Sequence, residues 1–392
     1  MNGALLTMFN SLITFIRDTY RTKEFIALHA PVFAGNESRY VQETIESTFV
    51  SSVGAFVDRF ERDIASYTGS VGAVATVNGT AALHIALKLA GVQCGELVIT
   101  QALTFVATCN AINYCGAQPV LLDVDRHTLG LSPGAMTQWL NSEAYRDDEG
   151  LCRHKVTDKI IRACVPMHTF GHPADLAGLV SVCKQWGIVL VEDAAESLGS
   201  FYQGQHTGTF GDLSALSFNG NKIMTTGGGG MILCNTGELA KQAKHITTTA
   251  KVPHPFEYVH DQLGYNYRLP NINAALGCAQ LEQLPHFLTE KRELAASYAR
   301  FFADSELTFV REPEGCQSNY WLQAVICRDR AMRDDLLTQT NAAQVMTRPI
   351  WQLMHRLPMY QACLRDDLTH AQWLEERVVN LPSGVRLLAN NH

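Results

Sequence analysis

The 392-residue chain is short of charge: Asp, Glu, Lys and Arg make up 18% of it, against roughly 25% in an average soluble domain, while 46% is apolar. Such a chain is neither disordered nor fibrous, and it holds enough apolar side chains for a large core and a subunit interface. It has no Lys/Arg run, and 31 basic against 38 acidic residues leave a net charge of −7. Nucleic acid is therefore not an expected partner. The eleven cysteines include no Cys-x-x-Cys pair, which argues against a zinc ribbon or a redox dithiol and points to reduced, buried thiols in a cytoplasmic protein. No apolar run is long enough for a membrane span. The nearest imitation is residues 1–20, where Leu5, Phe9, Leu12, Ile13 and Ile16 recur at helical spacing but Asn10, Arg17 and Asp18 bound the run. It lacks the basic start of a signal peptide and reads as an amphipathic helix lying on the protein or on a second subunit. Internal repeats and low-complexity tracts are also missing.

What the chain does contain is alternation. Phe56, Phe60 and Ile64 share one face of a helix over 55–68. Short apolar runs at 74–77, 97–100, 119–124, 160–167 and 188–191 then alternate with helix-period segments at 80–90, 104–114, 133–140 and 173–186. This pattern predicts an α/β fold with a mainly parallel central sheet, helices on both faces and ligands at the carboxyl ends of the strands. Two more strands, 213–218 and 231–234, flank the run Gly227-Gly228-Gly229-Gly230. Beyond residue 237, helices at 238–246, 272–284 and 285–302 and strands at 307–310 and 321–327 suggest a smaller α+β unit. The expected organisation is a helical extension over 1–30, a large α/β domain over 31–290 and a small C-terminal domain over 291–392. The polar stretch 142–154 reads as an exposed insertion loop.

Three segments carry chemistry. Val77-Asn78-Gly79-Thr80-Ala81-Ala82-Leu83 follows a strand and opens a helix. Free N–H groups and the helix dipole can hold a phosphate at such a place, although a simple N-cap is the plainer reading. Val189-Leu190-Val191-Glu192-Asp193-Ala194-Ala195-Glu196 ends a buried strand in carboxylates. Asp193 there needs a cationic partner, whether a salt bridge or a ligand. Ser217-Phe218-Asn219-Gly220-Asn221-Lys222 leaves another strand with a lone lysine, either an exposed loop residue or an amine for Schiff-base chemistry. An anion hole, a partner for a ring nitrogen and an amine for an aldehyde are together what pyridoxal phosphate requires. His168 and His172 are four residues apart but lack a third ligand in register, so no metal is expected and they read as site-lining or hydrogen-bonded histidines. Arg268 and Arg348 are candidates for pairing a diphosphate or a carboxylate, and Trp351 and Tyr360 for lining a nucleotide pocket; a solvated or salt-bridged arginine and a core aromatic are the alternative readings.

With these segments in order, most of the sequence resembles the DegT/StrS family of sugar-nucleotide aminotransferases, and within it the legionaminic-acid pathway group. The matching stretches are Phe49-Val50-Ser51-Ser52-Val53-Gly54, residues 77–83, Leu103-Thr104-Phe105-Val106-Ala107-Thr108, residues 166–173, residues 192–197, residues 217–230 and Gly264-Tyr265-Asn266-Tyr267-Arg268. The resemblance implies a fold type I enzyme using pyridoxal 5'-phosphate. Lys222 would bind the cofactor aldehyde, Asp193 the pyridinium nitrogen, and Phe105 would stack on the ring. Gly79, Thr80 and Ser217 would hold the phosphate, with Asn266 reaching it from the other subunit of a homodimer. His168, Arg268 and Arg348 would face the substrate. Glutamate would be the amino donor, and the acceptor C4 of a nucleotide-linked 4-keto-6-deoxy sugar, UDP-2-acetamido-4-keto-6-deoxyhexose by this likeness, for a surface glycan or nonulosonic acid. A sugar dehydratase of the same fold, which exchanges the lysine for histidine, and a non-catalytic sugar-nucleotide binding protein are the alternatives. The chain departs from the family at Gly95-Glu96-Leu97-Val98, where Gly-Asp-Glu-Val is usual, and at Glu196, a cofactor-binding position by this likeness where many relatives carry Gln or His; an ionised carboxylate there would repel the cofactor's phenolic oxygen, so Glu196 is expected either protonated or turned toward another partner.

Overall fold

The computed structural model describes residues 3–386. Its centre is a seven-stranded sheet of β1 (Gly72–Thr76), β2 (Leu97–Gln101), β3 (Gln118–Leu122), β4 (Ile161–Val165), β5 (Val189–Asp193), β6 (Leu213–Ser217) and β7 (Gly230–Cys234), in the spatial order β1-β7-β6-β5-β4-β2-β3. Neighbours are parallel from β6 through β3, and only β7 runs against the rest. The expected α/β architecture is thus present. Strands covered on both faces have no solvent side to mark with polar residues, which is why they read as unbroken apolar runs.

The helices are α1 (Gly3–Tyr20), α2 (Glu37–Glu46), α3 (Ala55–Thr68), α4 (Gly79–Leu89), α5 (Val106–Tyr114), α6 (Pro133–Glu143), α7 (Leu176–Trp186), α8 (Gly237–Thr247), α9 (Asn271–Phe301), α10 (Arg330–Ala342) and α11 (Thr369–Glu375). Local chemistry sets several ends. Asn78 caps α4 by accepting the N–H of Ala81 at 2.7 Å, and glycines in the left-handed conformation, Gly69 and Gly187, stop α3 and α7.

Two expectations need correction here. Segments 272–284 and 285–302 form one helix, α9, with Pro285 inside it. Proline removes a single helical donor, and packing of the buried Leu284 and Phe287 on either side keeps the helix whole. The stretch 142–154 is not a loop but largely a hairpin pairing Ala144–Arg146 with Cys152–His154. Cys152 and His154 are buried, and the His154 ring stacks on Trp139.

Toward the C-terminus lies an antiparallel sheet of β8 (Thr308–Phe309), β9 (Gln323–Ile326), β10 (Arg348–Pro349) and β11 (Val378–Leu381), in the order β8-β9-β11-β10. Helix α1 packs on this unit of its own chain. Phe9, Leu12 and Ile16 are fully buried in one cluster with Tyr298, Val325, Leu336 and Val379. Phe9→Ala is therefore expected to cost about 3–5 kcal/mol, measurable as a lower denaturant midpoint at unchanged slope. Among the described residues no helix is long and apolar enough to cross a membrane.

Candidate active site

The carboxyl ends of β1, β5 and β6 meet at one edge of the sheet, and β7 begins there. Gly230 pairs with both Thr76 and Ser217. A Cβ on Gly230 would stand 2.4 Å from the carbonyl carbon of Asn78, so only glycine lets this strand approach the start of α4 so closely. A cavity of about 300 Å³ opens at this edge. It brings together Gly79, Thr80, Phe105, Asp193, Glu196, Ser217 and Lys222, with Trp321 and Trp351 closing another side.

Each wall has a distinct character. Helix geometry leaves the N–H groups of Gly79 and Thr80 without partners inside α4, and the side chains of Thr80 and Ser217 stand beside them. The loop after β6 is closed by backbone hydrogen bonds from Phe218 to Gly229 and from Thr226 back to Phe218, which fix where Lys222 leaves the sheet. Asp193 is the last residue of β5. Its Oδ2 accepts the Thr108 hydroxyl at 2.7 Å and its Oδ1 the Ala195 N–H at 3.2 Å. Burial pushes its carboxyl above the ordinary range; those two hydrogen bonds and the charges of Lys222 and His168 only partly offset this. No cation lies within salt-bridge distance of Asp193 among the described residues.

Glu196 is also buried, and its carboxyl is likewise raised by burial, against the pull of Lys222. Its Oε1 stands 3.3 Å from Lys222 Nζ and its Oε2 accepts the Phe170 N–H at 2.9 Å. These residues fit pyridoxal phosphate. Asp193 is a buried carboxylate awaiting a cation, Lys222 supplies the amine, and the N-terminus of α4 is suited to an anion.

Most of the remaining predicted positions lie elsewhere. His168 does not line the cavity. It is fully buried, its Nδ1 accepting the Ala174 N–H at 3.2 Å and its Nε2 donating to Glu192 at 3.0 Å. Burial pushes Glu192 up, but His168 and backbone N–H groups outweigh it and hold the carboxyl low. The reason is strand alternation: Met167 and Asp193 face the cavity, so their neighbours His168 and Glu192 face the other way. His172 is buried against the edge of Tyr320. Tyr360 is also buried and donates to Asn110, while Trp351 does line the cavity.

Arg348 is exposed on β10, and Asn266 and Arg268 lie outside this cavity, joined by a 2.9 Å hydrogen bond. Their neighbours Tyr265 and Tyr267 turn the opposite way, against His84. Among the described residues no group of three or more His, Cys, Asp or Glu is placed to hold a metal ion. Sequence reasoning missed Thr108 and Trp321. Thr108 stands three residues after Phe105, the residue that precedes α5, and its N–H bonds the Phe105 carbonyl at 3.2 Å; Trp321 carries no local signal.

The family model described as the DegT/DnrJ/EryC1/StrS aminotransferase family matches residues 32–391. A GDP-perosamine synthase of Escherichia coli O157:H7 is 36% identical over 360 residues, covering 92% of this chain and 93% of that protein. A GDP-perosamine synthase of Caulobacter vibrioides is 33% identical, covering 91% and 93%. Among solved structures, the aminotransferase TlmJ of Streptoalloteichus hindustanus superposes with a TM-score of 0.82 at 28% identity, covering 92% of this chain and 93% of that one.

Proposed function

Because the chain belongs to the DegT/DnrJ/EryC1/StrS aminotransferase family, and is on that ground a pyridoxal-phosphate-dependent sugar aminotransferase, we propose that it moves an amino group from glutamate to C4 of a nucleotide-linked 4-keto-6-deoxy sugar. The observation that carries the reading is the convergence of Lys222, Asp193 and the start of α4 on one cavity. When bound, the cofactor supplies an aldehyde and an electron-withdrawing ring. Asp193 would hold the proton on the ring nitrogen, and Thr108 and the Ala195 N–H fix that carboxylate in place. Gly79, Thr80 and Ser217 bind the phosphate. Lys222 Nζ would hold the aldehyde and, once freed, would move the proton at the amino-acid Cα. Phe105 and Trp351, their ring centroids 6.4 Å apart, line the cavity mouth where the ring would lie.

Two sugar classes have support. The resemblance to the legionaminic-acid group favours a UDP-linked 2-acetamido sugar, and two relatives named GDP-perosamine synthase favour a GDP-linked one. Parallel assays with UDP- and GDP-linked 4-keto-6-deoxy sugars and glutamate decide between them. A visible cofactor band that glutamate bleaches supports amino transfer; a band indifferent to every amino donor would sink it in favour of dehydration, and no band at all would leave a sugar-nucleotide binding protein.

The strip carrying Asn266 and Arg268 turns both side chains away from the chain's own core, which suits service to a second subunit's phosphate and substrate. A homodimer with shared sites follows as part of the proposal. Mixing inactive Lys222→Ala and Asn266→Ala proteins under subunit exchange is then expected to restore activity, because one of the two sites in each hybrid is intact. A mixture that stays inactive would remove the shared site.

A further inference from the structure

The amine of Lys222 is held from two sides. Glu196 Oε1 lies 3.3 Å from Nζ, and the centroid of the Trp321 ring lies 4.0 Å from it. The carboxylate is not free to turn, since its Oε2 is engaged by the buried N–H of Phe170. Phe170 itself is left-handed, at φ 58°, and the following Gly171 is pressed on Asn319 so tightly that a Cβ would meet Asn319 Oδ1 at 1.8 Å.

Asn319 ties the two walls to each other. Its amide donates to the carbonyls of Glu196 at 2.8 Å and Leu198 at 2.9 Å, and its Oδ1 accepts the N–H of Trp321 at 2.8 Å. The Trp321 indole N–H then donates to the carbonyl of Asn221, the residue before the lysine, at 2.6 Å. From behind, Lys291 donates to the Trp321 carbonyl at 3.0 Å. So much fixed structure around one amine is more than a surface ion pair needs.

We propose that Glu196 and Trp321 form a holding site for the Lys222 ammonium, the place where the displaced amine is kept charged with the proton it must return. The proposal rests on the reading of Lys222 as the cofactor lysine. A carboxylate and an aromatic face both favour the cation over the neutral amine. Burial raises the Glu196 carboxyl, and the charge of Lys222 beside it pulls it back down. The other titratable groups facing the pair are Asp193 at the end of β5, Lys291 on α9 and His29 from the segment before α2. Burial first, then Lys291 and Lys222, keep His29 neutral, and burial brings Lys291 down to about 7.

The test uses the full-length chain stripped of cofactor and pyridoxal phosphate as the probe. Condensation is followed from pH 6 to pH 10, trapped with borohydride, and the labelled lysine located by peptide mass spectrometry. The wild-type rate is expected to climb as the pair gives up its proton. In Glu196→Gln that climb moves to lower pH by about one unit or more. Trp321→Leu moves it the same way by less, and Trp321→Phe, which keeps an aromatic face, stays near wild type. Labelling of Lys222 with an unshifted or upward-shifted climb in Glu196→Gln would overturn the holding site alone. Should that variant fail to fold, an unshifted Trp321→Leu overturns it equally. A label on another lysine would overturn both the holding site and the assignment of Lys222.

Discussion

Lys222→Ala is expected to lower turnover by more than about 10⁴-fold, since acid–base work alone is worth about 10²–10⁴ and the covalent step is lost with it. The protein should still fold, because the lysine side chain is only partly buried and its backbone turn is held by the Asn219 carbonyl. The variant leaves Glu196 buried without its cation, and the carboxyl then turns neutral instead of remaining an unpaired charge. Two controls separate lost chemistry from lost structure. Lys222→Arg keeps a cation beside Glu196 but has no nucleophilic amine, and should be as inactive as the alanine variant. A small primary amine such as methylamine, added to Lys222→Ala, should restore part of the activity by entering the space the side chain vacated. Turnover within tenfold of wild type in either variant would contradict the role given to this residue.

The parts of the site legible in the sequence are those written locally. Asp193 and Lys222 stand just past apolar runs that are unbroken because their strands are buried on both faces, and Gly79 follows a capping asparagine at a helix start. Long-range partners leave no such mark. Trp321 reaches Lys222 from 99 residues away along the chain, through the buried amide of Asn319. Glu196 could be named but not oriented, because the N–H that clamps it belongs to Phe170, whose left-handed backbone nothing in residues 166–173 announces. Of the two roles open to His168, one residue of strand alternation selects the hydrogen-bonded one over the substrate-facing one. Its neighbour Met167 faces the cavity while His168 pairs with Glu192 behind the sheet edge. In the fold, the same contrast separates the central strands from α9, where proline marked a break that the surrounding packing overrides.

Asp193→Asn should separate function from stability, moving them in opposite directions. Removing the charge that holds a proton on the ring nitrogen deletes a preorganised electrostatic interaction, so turnover is expected to fall by at least about 10²–10³-fold. In the cofactor-free protein the same carboxylate is a liability. Its folded pKa is raised, burial being the chief cause. An acid raised in this way adds stability at pH below its unfolded value and loses that contribution as pH climbs through the folded value. At pH above the folded value the ionised Asp193 therefore opposes folding, and asparagine, whose Oδ1 still accepts the Ala195 N–H while its amide donates to the Thr108 hydroxyl in a reversed bond, should raise the melting temperature on the order of 2 °C. Adding cofactor reverses the order: wild type gains the pyridinium pairing and the variant does not, so ligand stabilises wild type more at equal concentration. Melting curves of both proteins, with and without pyridoxal phosphate at pH 5 and pH 8, provide the check. The advantage of asparagine without cofactor should shrink at pH 5, where less of the carboxylate is ionised. A cofactor-free variant less stable than wild type at both pH values would mean that Asp193 already has a counter-charge within the chain, and its assignment to the ring nitrogen would lose its physical basis.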